Sequence, residues 1–439
     1  MQSGPLMLDD RLARSVQEAT EALKGKKLWE ERRTELEVMQ TLEVRQISEL
    51  GRGAFGRVLE VCSVCSSGVS GVSSALKITV DNPLELEAEV LKELSLRSLE
   101  GVPRYFGHGT GYIWMSVEKG MDLAKWLYKK RWGTFTSAAS FSLASVLLEQ
   151  MLPVLETLEK IAFHRDISAK NFLIDESSAG FKFKLLDFGL AVDARNWQSG
   201  GWKVEGVGGN PLYFPPGSWL AMAGALSHAP AAIQDQYACR LDHYAFGILL
   251  SEVVFITWMG SKESDAEKCD SPLRKTFEAY TEFHRFWQNC HSAMAKGKAI
   301  VTHLAADPKR CLESMQHALL RLLSSLNATD APLLKVSAKL IAEDSIISWQ
   351  ERIWQRRVAE KEGHMEFMTF ESFDKKEDLP GKGLDGNLTL QHSGDAQLAV
   401  SVSSVIFVLE SSVNSGPRFL DTCLQEAAGE RGHRKLEQF

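Results

Sequence analysis

Hydrophobic and polar positions change period along this chain at about residue 119. Before it, Val58-Leu59-Glu60-Val61-Cys62 roughly alternates, and Ala75-Leu76-Lys77-Ile78-Thr79-Val80 and Tyr112-Ile113-Trp114-Met115 are short β-prone runs. Each predicts a strand. Between the last two, Leu84 to Leu96 predicts a helix, introduced by the start signal Asp81-Asn82-Pro83. From Lys119 the spacing turns helical, with Asp122 through Lys130, then Ser137 to Ile161 as a long core helix, then the apolar stretch Phe246 to Gly260. The period thus predicts an α+β chain: a small β-rich lobe with one main helix over 46–118, and a larger, mostly helical lobe over 119–345. The far edge of that lobe falls between 325 and 360.

The ends read differently. Residues 1–45 predict a charged helical extension, starting at Asp9-Asp10 and repeating apolar positions at Leu12, Val16 and Ala19. Residues 346–439 form a C-terminal extension. Its stretch from Glu371 to Gly394, rich in Asp, Lys and Gly, predicts mobility, and Val400 to Leu409 predicts an isolated strand.

Composition narrows the function classes. The 439 residues are 44% hydrophobic and 24% charged, the balance of a globular protein able to bury a large core. A formal net charge of −7, with no long basic run, gives no drive toward nucleic acid. Phe246 to Gly260 holds Ser251 and Glu252 and is shorter than the ~20 residues of a membrane span, so it predicts a buried helix. Seven cysteines without a framework, one pair of them in Cys62-x-x-Cys65, predict neither disulfides nor a zinc site. The start, Met1-Gln2-Ser3-Gly4-Pro5, lacks the marks of a signal peptide or a myristoylation site, so the expected compartment is cytoplasmic or nuclear. The oligomeric state is left open.

Candidate chemistry is concentrated in two runs. His164-Arg165-Asp166-Ile167-Ser168-Ala169-Lys170-Asn171 is followed by Asp187-Phe188-Gly189, 21 residues beyond Asp166. Phosphoryl transfer from ATP needs a carboxylate to orient an acceptor hydroxyl and oxygen donors for Mg²⁺. Asp166 fits the first role, Asn171 and Asp187 the second. Upstream, Gly51-Arg52-Gly53-Ala54-Phe55-Gly56-Arg57-Val58 can lie close over phosphates, because glycines leave backbone N–H groups free. A dinucleotide fingerprint has the same glycine spacing but opens a helix. Here a strand follows.

Together these runs resemble the eukaryotic protein kinase superfamily, in a divergent, serine/threonine-like form. The resemblance covers about residues 46–325 and implies the two-lobed protein-kinase-like fold. It implies that Gly51, Gly53, Phe55, Gly56 and Val58 cover the ATP phosphates. Lys77, in a strand similar to V-A-I-K, contacts the phosphates and pairs with a helix glutamate. Glu85, Glu87 and Glu89 are candidates. Glu87 is preferred because Leu91 and Leu94 follow it at +4 and +7 on the inward face, although the 10-residue spacing from Lys77 is short for the family. Met115 takes the gatekeeper position, backbone groups of Ser116 and Val117 meet adenine, and Asp122 reaches the ribose. Asp242, in Leu241-Asp242-His243-Tyr244-Ala245-Phe246-Gly247, is expected to accept hydrogen bonds from the backbone at His164 and Arg165.

The downstream half departs from the family pattern. Leu190 to Gly209 has glycines at 200, 201, 206, 208 and 209, which favours a mobile loop. In Gly209-Asn210-Pro211-Leu212-Tyr213-Phe214-Pro215-Pro216-Gly217, Asn210 replaces a threonine and Gly217 replaces the A-P-E glutamate, so a structural ion pair is expected to be missing. Asp307-Pro308-Lys309-Arg310 and Lys339 to Asp344 compete for the motif that closes the domain. Substrate cues conflict. Lys170, four places after Asp166, stands where tyrosine kinases carry arginine, whereas Pro211-Leu212-Tyr213-Phe214 looks serine/threonine-like. The expected function is transfer of the γ-phosphoryl of Mg-ATP to a serine or threonine hydroxyl of a protein. The alternatives are a tyrosine or dual-specificity kinase, an ATP-binding pseudokinase or scaffold, and a small-molecule phosphotransferase of the choline or aminoglycoside type.

Overall fold

The computed structural model describes residues 30, 33–53, 56–65, 68–79, 84–130, 135–178, 180–222, 224, 226–260, 273–295 and 308–342. The expectations for residues 1–29, for Phe55, for Asp81-Asn82-Pro83, for Asp307 and for everything beyond 342 lie outside them. The chain divides into two compact units, residues 1–118 and 119–439.

The first unit is built on an antiparallel sheet of β1 (Val44–Gly53), β2 (Gly56–Cys65), β3 (Gly68–Ile78), β5 (Tyr112–Ser116) and β4 (Tyr105–Gly109), in the order β1-β2-β3-β5-β4. Strand period 2 sorts the side chains. Leu59, Val61, Leu76 and Ile78 are buried on one face, where Val38 of helix α1 (33–41) joins them, with Met39, Leu42 and Trp114 at the edges. The N-terminal helix is therefore part of this unit's core. Lys77 alternates to the other face and meets α2 (Glu85–Leu96), which buries Glu87, Ala88, Val90, Leu91 and Leu94. Glu85 and Glu87 lie in the first turn of α2, where carboxylates suit the helix dipole.

The second unit holds a three-stranded sheet, β6 (Met121–Asp122), β8 (Phe172–Ser177) and β9 (Gly180–Leu185), and a short pair, β7 (Ala162–Phe163) with β10 (Val192–Asp193). Gly120 opens this unit with φ of 116°. A Cβ there would stand 2.4 Å from the Ile174 carbonyl oxygen, so no other residue fits. Helix α3 (Leu123–Lys130) follows. The Asp122 carboxylate accepts from the Lys125 N–H at 2.8 Å and caps it.

Helix α4 (Ser137–Leu158) is capped by the Thr136 hydroxyl. Short helices α5 (Ala194–Gln198), α6 (Pro216–Met222) and α7 (Ala231–Cys239) precede α8 (Leu241–Met259). Helices α9 (Leu273–Ala295), α10 (Pro308–Asn327) and α11 (Pro332–Ile341) complete the unit. Helix α8 is apolar on nearly all sides because it runs through the centre, against α4 and α11. At Gly247 a Cβ would meet Ile341 and the Ser337 carbonyl oxygen, both at 2.8 Å, so the glycine lets α11 approach. Helices α4 and α8 are long and apolar enough to cross a membrane, but 94% of the apolar window of α8 is buried in this core, and α4 packs against it.

Candidate active site

In the first unit, β1 and β2 close a hairpin in which Gly53 faces Gly56, Arg52 faces Arg57, and Gly51 faces Val58. Gly56 has φ of 127°, and a Cβ on it would stand 2.1 Å from the Ile78 carbonyl oxygen. The hairpin thus lies directly against the end of β3, a contact only glycine allows. Val58 pairs with Lys77 across β2 and β3. The Lys77 ammonium sits 2.8 Å from both carboxylate oxygens of Glu87, with both side chains almost completely buried. A desolvated lysine needs such an anion. Glu85 and Glu89 are exposed.

Met115 is buried and pairs with Ala75, and Val117 is half-buried. At the next strand position the Ser116 N–H donates to the Arg104 carbonyl at 2.8 Å, so a base would have to meet the Ser116 carbonyl or the Val117 backbone. The Ser116 hydroxyl accepts from the Arg104 N–H at 2.7 Å and donates to Glu118. Nothing in a single sequence reports that Arg104 folds back onto this strand.

In the second unit the loop 164–171 is anchored from below. Asp242, in the first turn of α8, accepts from the His164 N–H at 2.6 Å and from the Arg165 N–H at 2.8 Å. These bonds hold Arg165 in the left-handed region, at φ of 68°. Burial pushes the Asp242 carboxyl upward, while His164, the two N–H donors and Arg165 pull it back. The Asp166 N–H donates to His164 Nδ1 at 3.3 Å, which makes Nε2 the protonated nitrogen and the donor to the Leu186 carbonyl at 2.9 Å. Phe188 packs on the same imidazole, centroids 5.0 Å apart.

Asp166 is held at both oxygens. The Asn171 side-chain amide donates to Oδ2 at 2.8 Å and to the Asp166 carbonyl at 2.7 Å, and the Asn210 N–H donates to Oδ1 at 2.9 Å. Burial of the carboxyl is the largest influence and raises its pKa. The Asp187 charge adds to this, while His164, Asn171 and the Asn210 N–H work against it. Lys170 is half-buried beside it. Burial lowers the Lys170 pKa, and the Asp166 and Asp122 charges oppose that. The Leu186 N–H donates to the Asn171 carbonyl at 2.8 Å, which sets Asp187 beside Asn171. Asp187 is also left-handed, at φ of 59°, and accepts from the Gly189 N–H at 3.4 Å.

Because the Asn171 amide nitrogen is committed to Asp166, Asn171 Oδ1 is the atom left to face a cation. Asp187 adds a carboxylate. Two oxygen donors suit Mg²⁺, which takes the rest of its shell from water and phosphate. Among the described residues no cluster of three or more His, Cys, Asp or Glu forms a separate metal cage.

The stretch after Gly189, expected to be a mobile loop, has regular structure in its first part, while 204–209 is turn and loop. It carries β10, α5 and a 3₁₀ turn over Gly201–Lys203. Trp197 is the reason. Its ring is fully buried, edge-on to Tyr237 with centroids 5.4 Å apart, and the Arg165 guanidinium lies 5.2 Å from its centre. Arg165 also donates to the Gly206 carbonyl. Ser199 caps α5 and donates to the Asn196 carbonyl at 2.9 Å. At Gly209, φ is 102° and a Cβ would meet the Arg165 carbonyl oxygen at 2.1 Å, so this segment passes tightly over the 164–171 loop. Gly217 is buried, and a Cβ there would stand 2.6 Å from Cβ of Tyr237, which leaves no room for a glutamate.

Two site residues were missed by sequence reasoning. Tyr213 donates to Glu252 of α8 and accepts from the Ala169 N–H at 3.5 Å, linking the segment after Asn210 to both the 164–171 loop and the core. Burial raises the Glu252 pKa to about 7, against the Tyr213 hydrogen bond. The one signal was a glutamate inside an otherwise apolar helix.

Residues 44–326, well over half of the chain, match the protein kinase domain family. The chain belongs to that family. Membership carries protein kinase activity with ATP as phosphoryl donor, usually with a divalent metal. No curated protein matches the chain.

Proposed function

We propose that this chain is a catalytically active protein kinase that transfers the γ-phosphoryl of Mg-ATP to serine or threonine hydroxyls. The observation that carries the reading is the two-sided grip on Asp166. A proton acceptor must be aimed and must have an affinity for the proton matched to its task. Asn171 and the Asn210 N–H aim the carboxylate, and burial raises its pKa. Bound ATP with Mg²⁺ would supply the phosphoryl group and neutralise its charge. Asn171 Oδ1 and Asp187 would hold the metal. Lys77, oriented by Glu87, would contact the phosphates, with Gly51, Gly53 and Gly56 as backbone cover. Asp166 would receive the acceptor's proton, with Lys170 beside it to offset charge.

Serine/threonine preference rests on the sequence Pro211-Leu212-Tyr213-Phe214. Support comes from Tyr213, which fixes that segment to Ala169 and Glu252. The test is Asp166→Asn. Turnover on a mixed protein substrate should fall at least a thousandfold, while ATP affinity stays within about threefold, since Asp166 does not hold the nucleotide. Turnover within a few fold of wild type would remove Asp166 from the chemistry. A wild type silent on serine, threonine and tyrosine alike would favour a scaffold.

A further inference from the structure

Helix α1 lies before residue 44, where the family match begins. Its partner is the hairpin that carries Gly51, Gly53 and Gly56. In that hairpin Arg52 and Arg57 stand directly opposite each other. Like charges in a cross-strand pair push a ladder open. Glu49 offsets this pair. It accepts from Arg57 at Nη2 and, at 3.1 Å, at Nε, and it approaches Arg52 Nε at 3.5 Å. The remaining arm of Arg57, Nη1, donates to Glu35 of α1. This second bond is the better shielded: the Glu35 and Arg57 side chains are 8% and 14% exposed, against 37% for Glu49. Salt and water weaken such a contact little.

The placement matters more than the bond itself. Arg57 follows Gly56, whose backbone presses on the Ile78 carbonyl, one residue beyond Lys77. By strand alternation Arg57 and Leu59 share the face that α1 covers, while Val58 faces the Lys77 side. One guanidinium therefore ties α1 to the last glycine of the hairpin, from the face opposite Lys77. Helix α1 is itself fixed, with Val38 buried among Leu59, Val61, Leu76 and Ile78. Gly51, Gly53 and Gly56 add no side chains to hold this hairpin, so its shape rests on the few residues between them, Arg57 among them, and on neighbours.

We propose that Glu35 is a positioning residue for nucleotide binding, acting through Arg57 to hold the glycine hairpin in its phosphate-binding shape. The proposal rests on the reading that this hairpin covers the ATP phosphates. Helix α1 then acts as a built-in support for the ATP site that the family's domain does not itself contain.

The test uses the full chain and two ligands, Mg-ATP and adenosine, with affinities measured by calorimetry and KM and kcat measured in parallel. Glu35→Gln keeps size and polarity but removes the charge. It should weaken ATP about fivefold to tenfold, the share expected of one shielded charge-assisted bond. KM for ATP should rise equally, with kcat within twofold. Adenosine affinity should stay unchanged, because the hairpin meets phosphates and not the base. A general loosening of the unit would weaken both ligands. Arg57→Lys keeps the charge but cannot fork to two carboxylates. It should give the same phosphate-specific loss, and the double variant should lose no more than either single one. Unchanged ATP affinity in both variants, additive losses, or equal losses for ATP and adenosine would each overturn the proposal. If the wild type bound adenosine but gained nothing from the phosphates, the underlying reading of the hairpin would fall, and the proposal with it.

Discussion

Glu252 offers a stability test whose sign and size follow from its surroundings. It lies inside α8, fully enclosed, with the Tyr213 hydroxyl as its hydrogen-bond donor. Burial lifts its pKa from an ordinary 4.5 to about 7. A raised folded value means that the fold prefers the protonated carboxyl. Its contribution is fully present below about pH 4.5 and is lost as pH rises through about 7. At about 1.4 kcal/mol for each pH unit separating the two values, the loss is about 3 kcal/mol. Glu252→Gln is permanently neutral, keeps the volume, and can still accept from Tyr213. The stability of wild type minus that of the variant should therefore fall by about 3 kcal/mol between pH 4.5 and pH 8. Taking the difference cancels titrations common to both proteins, including buried His243 and His284, whose values burial depresses to about 4. Urea unfolding followed by the fluorescence of Trp197, Trp219, Trp258 and Trp287, all buried in this unit, gives the readout. A difference that stays flat within about 0.5 kcal/mol, or one that rises with pH, would refute the account of Glu252.

Further outcomes are expected at the site. Lys77→Met should reduce kcat/KM at least a hundredfold, and Glu87→Gln should follow it within tenfold, while exposed Glu85→Gln and Glu89→Gln change little; steady-state kinetics on all four would expose a wrong partner. Asp187→Asn should weaken ATP only when Mg²⁺ is present, because on the proposed function it loses a metal ligand and leaves the base contacts alone; an equal loss in EDTA would contradict that role. Phosphatase treatment and Ser199→Ala should each leave turnover within about twofold, since Arg165 is already engaged by Trp197 and the Gly206 carbonyl. A tenfold loss in both experiments would make Ser199 a switch.

The candidate site residues were legible because the motifs that carry them are short and local. Asp166 and Asn171 fall on the loop between β7 and β8 and Asp187 just after β9, which the spacing of the two runs already suggested. The preference for Glu87 over its neighbours was also a local inference. On a helix, the residue in line with buried Leu91 and Leu94 is the one that turns inward.

What escaped the sequence depends on contacts between distant segments. The glycines between 200 and 209 suggested a loop, and 204–209 is one, but just before them Trp197 anchors a short helix against the Tyr237 ring and the Arg165 guanidinium. Gly217 looked like a lost ion pair, and the fold shows Tyr237 standing in the space a side chain would need. The Ser116 N–H was claimed by Arg104, twelve residues earlier, through a turn that carries no motif. Residues 33–41 showed only helical character, and nothing in their spacing named the sheet face they cover or joined Glu35 to Arg57. Local spacing determines which chemistry a chain can perform. Which backbone groups remain free for it, and what holds them in place, is decided by which surfaces meet when the core closes.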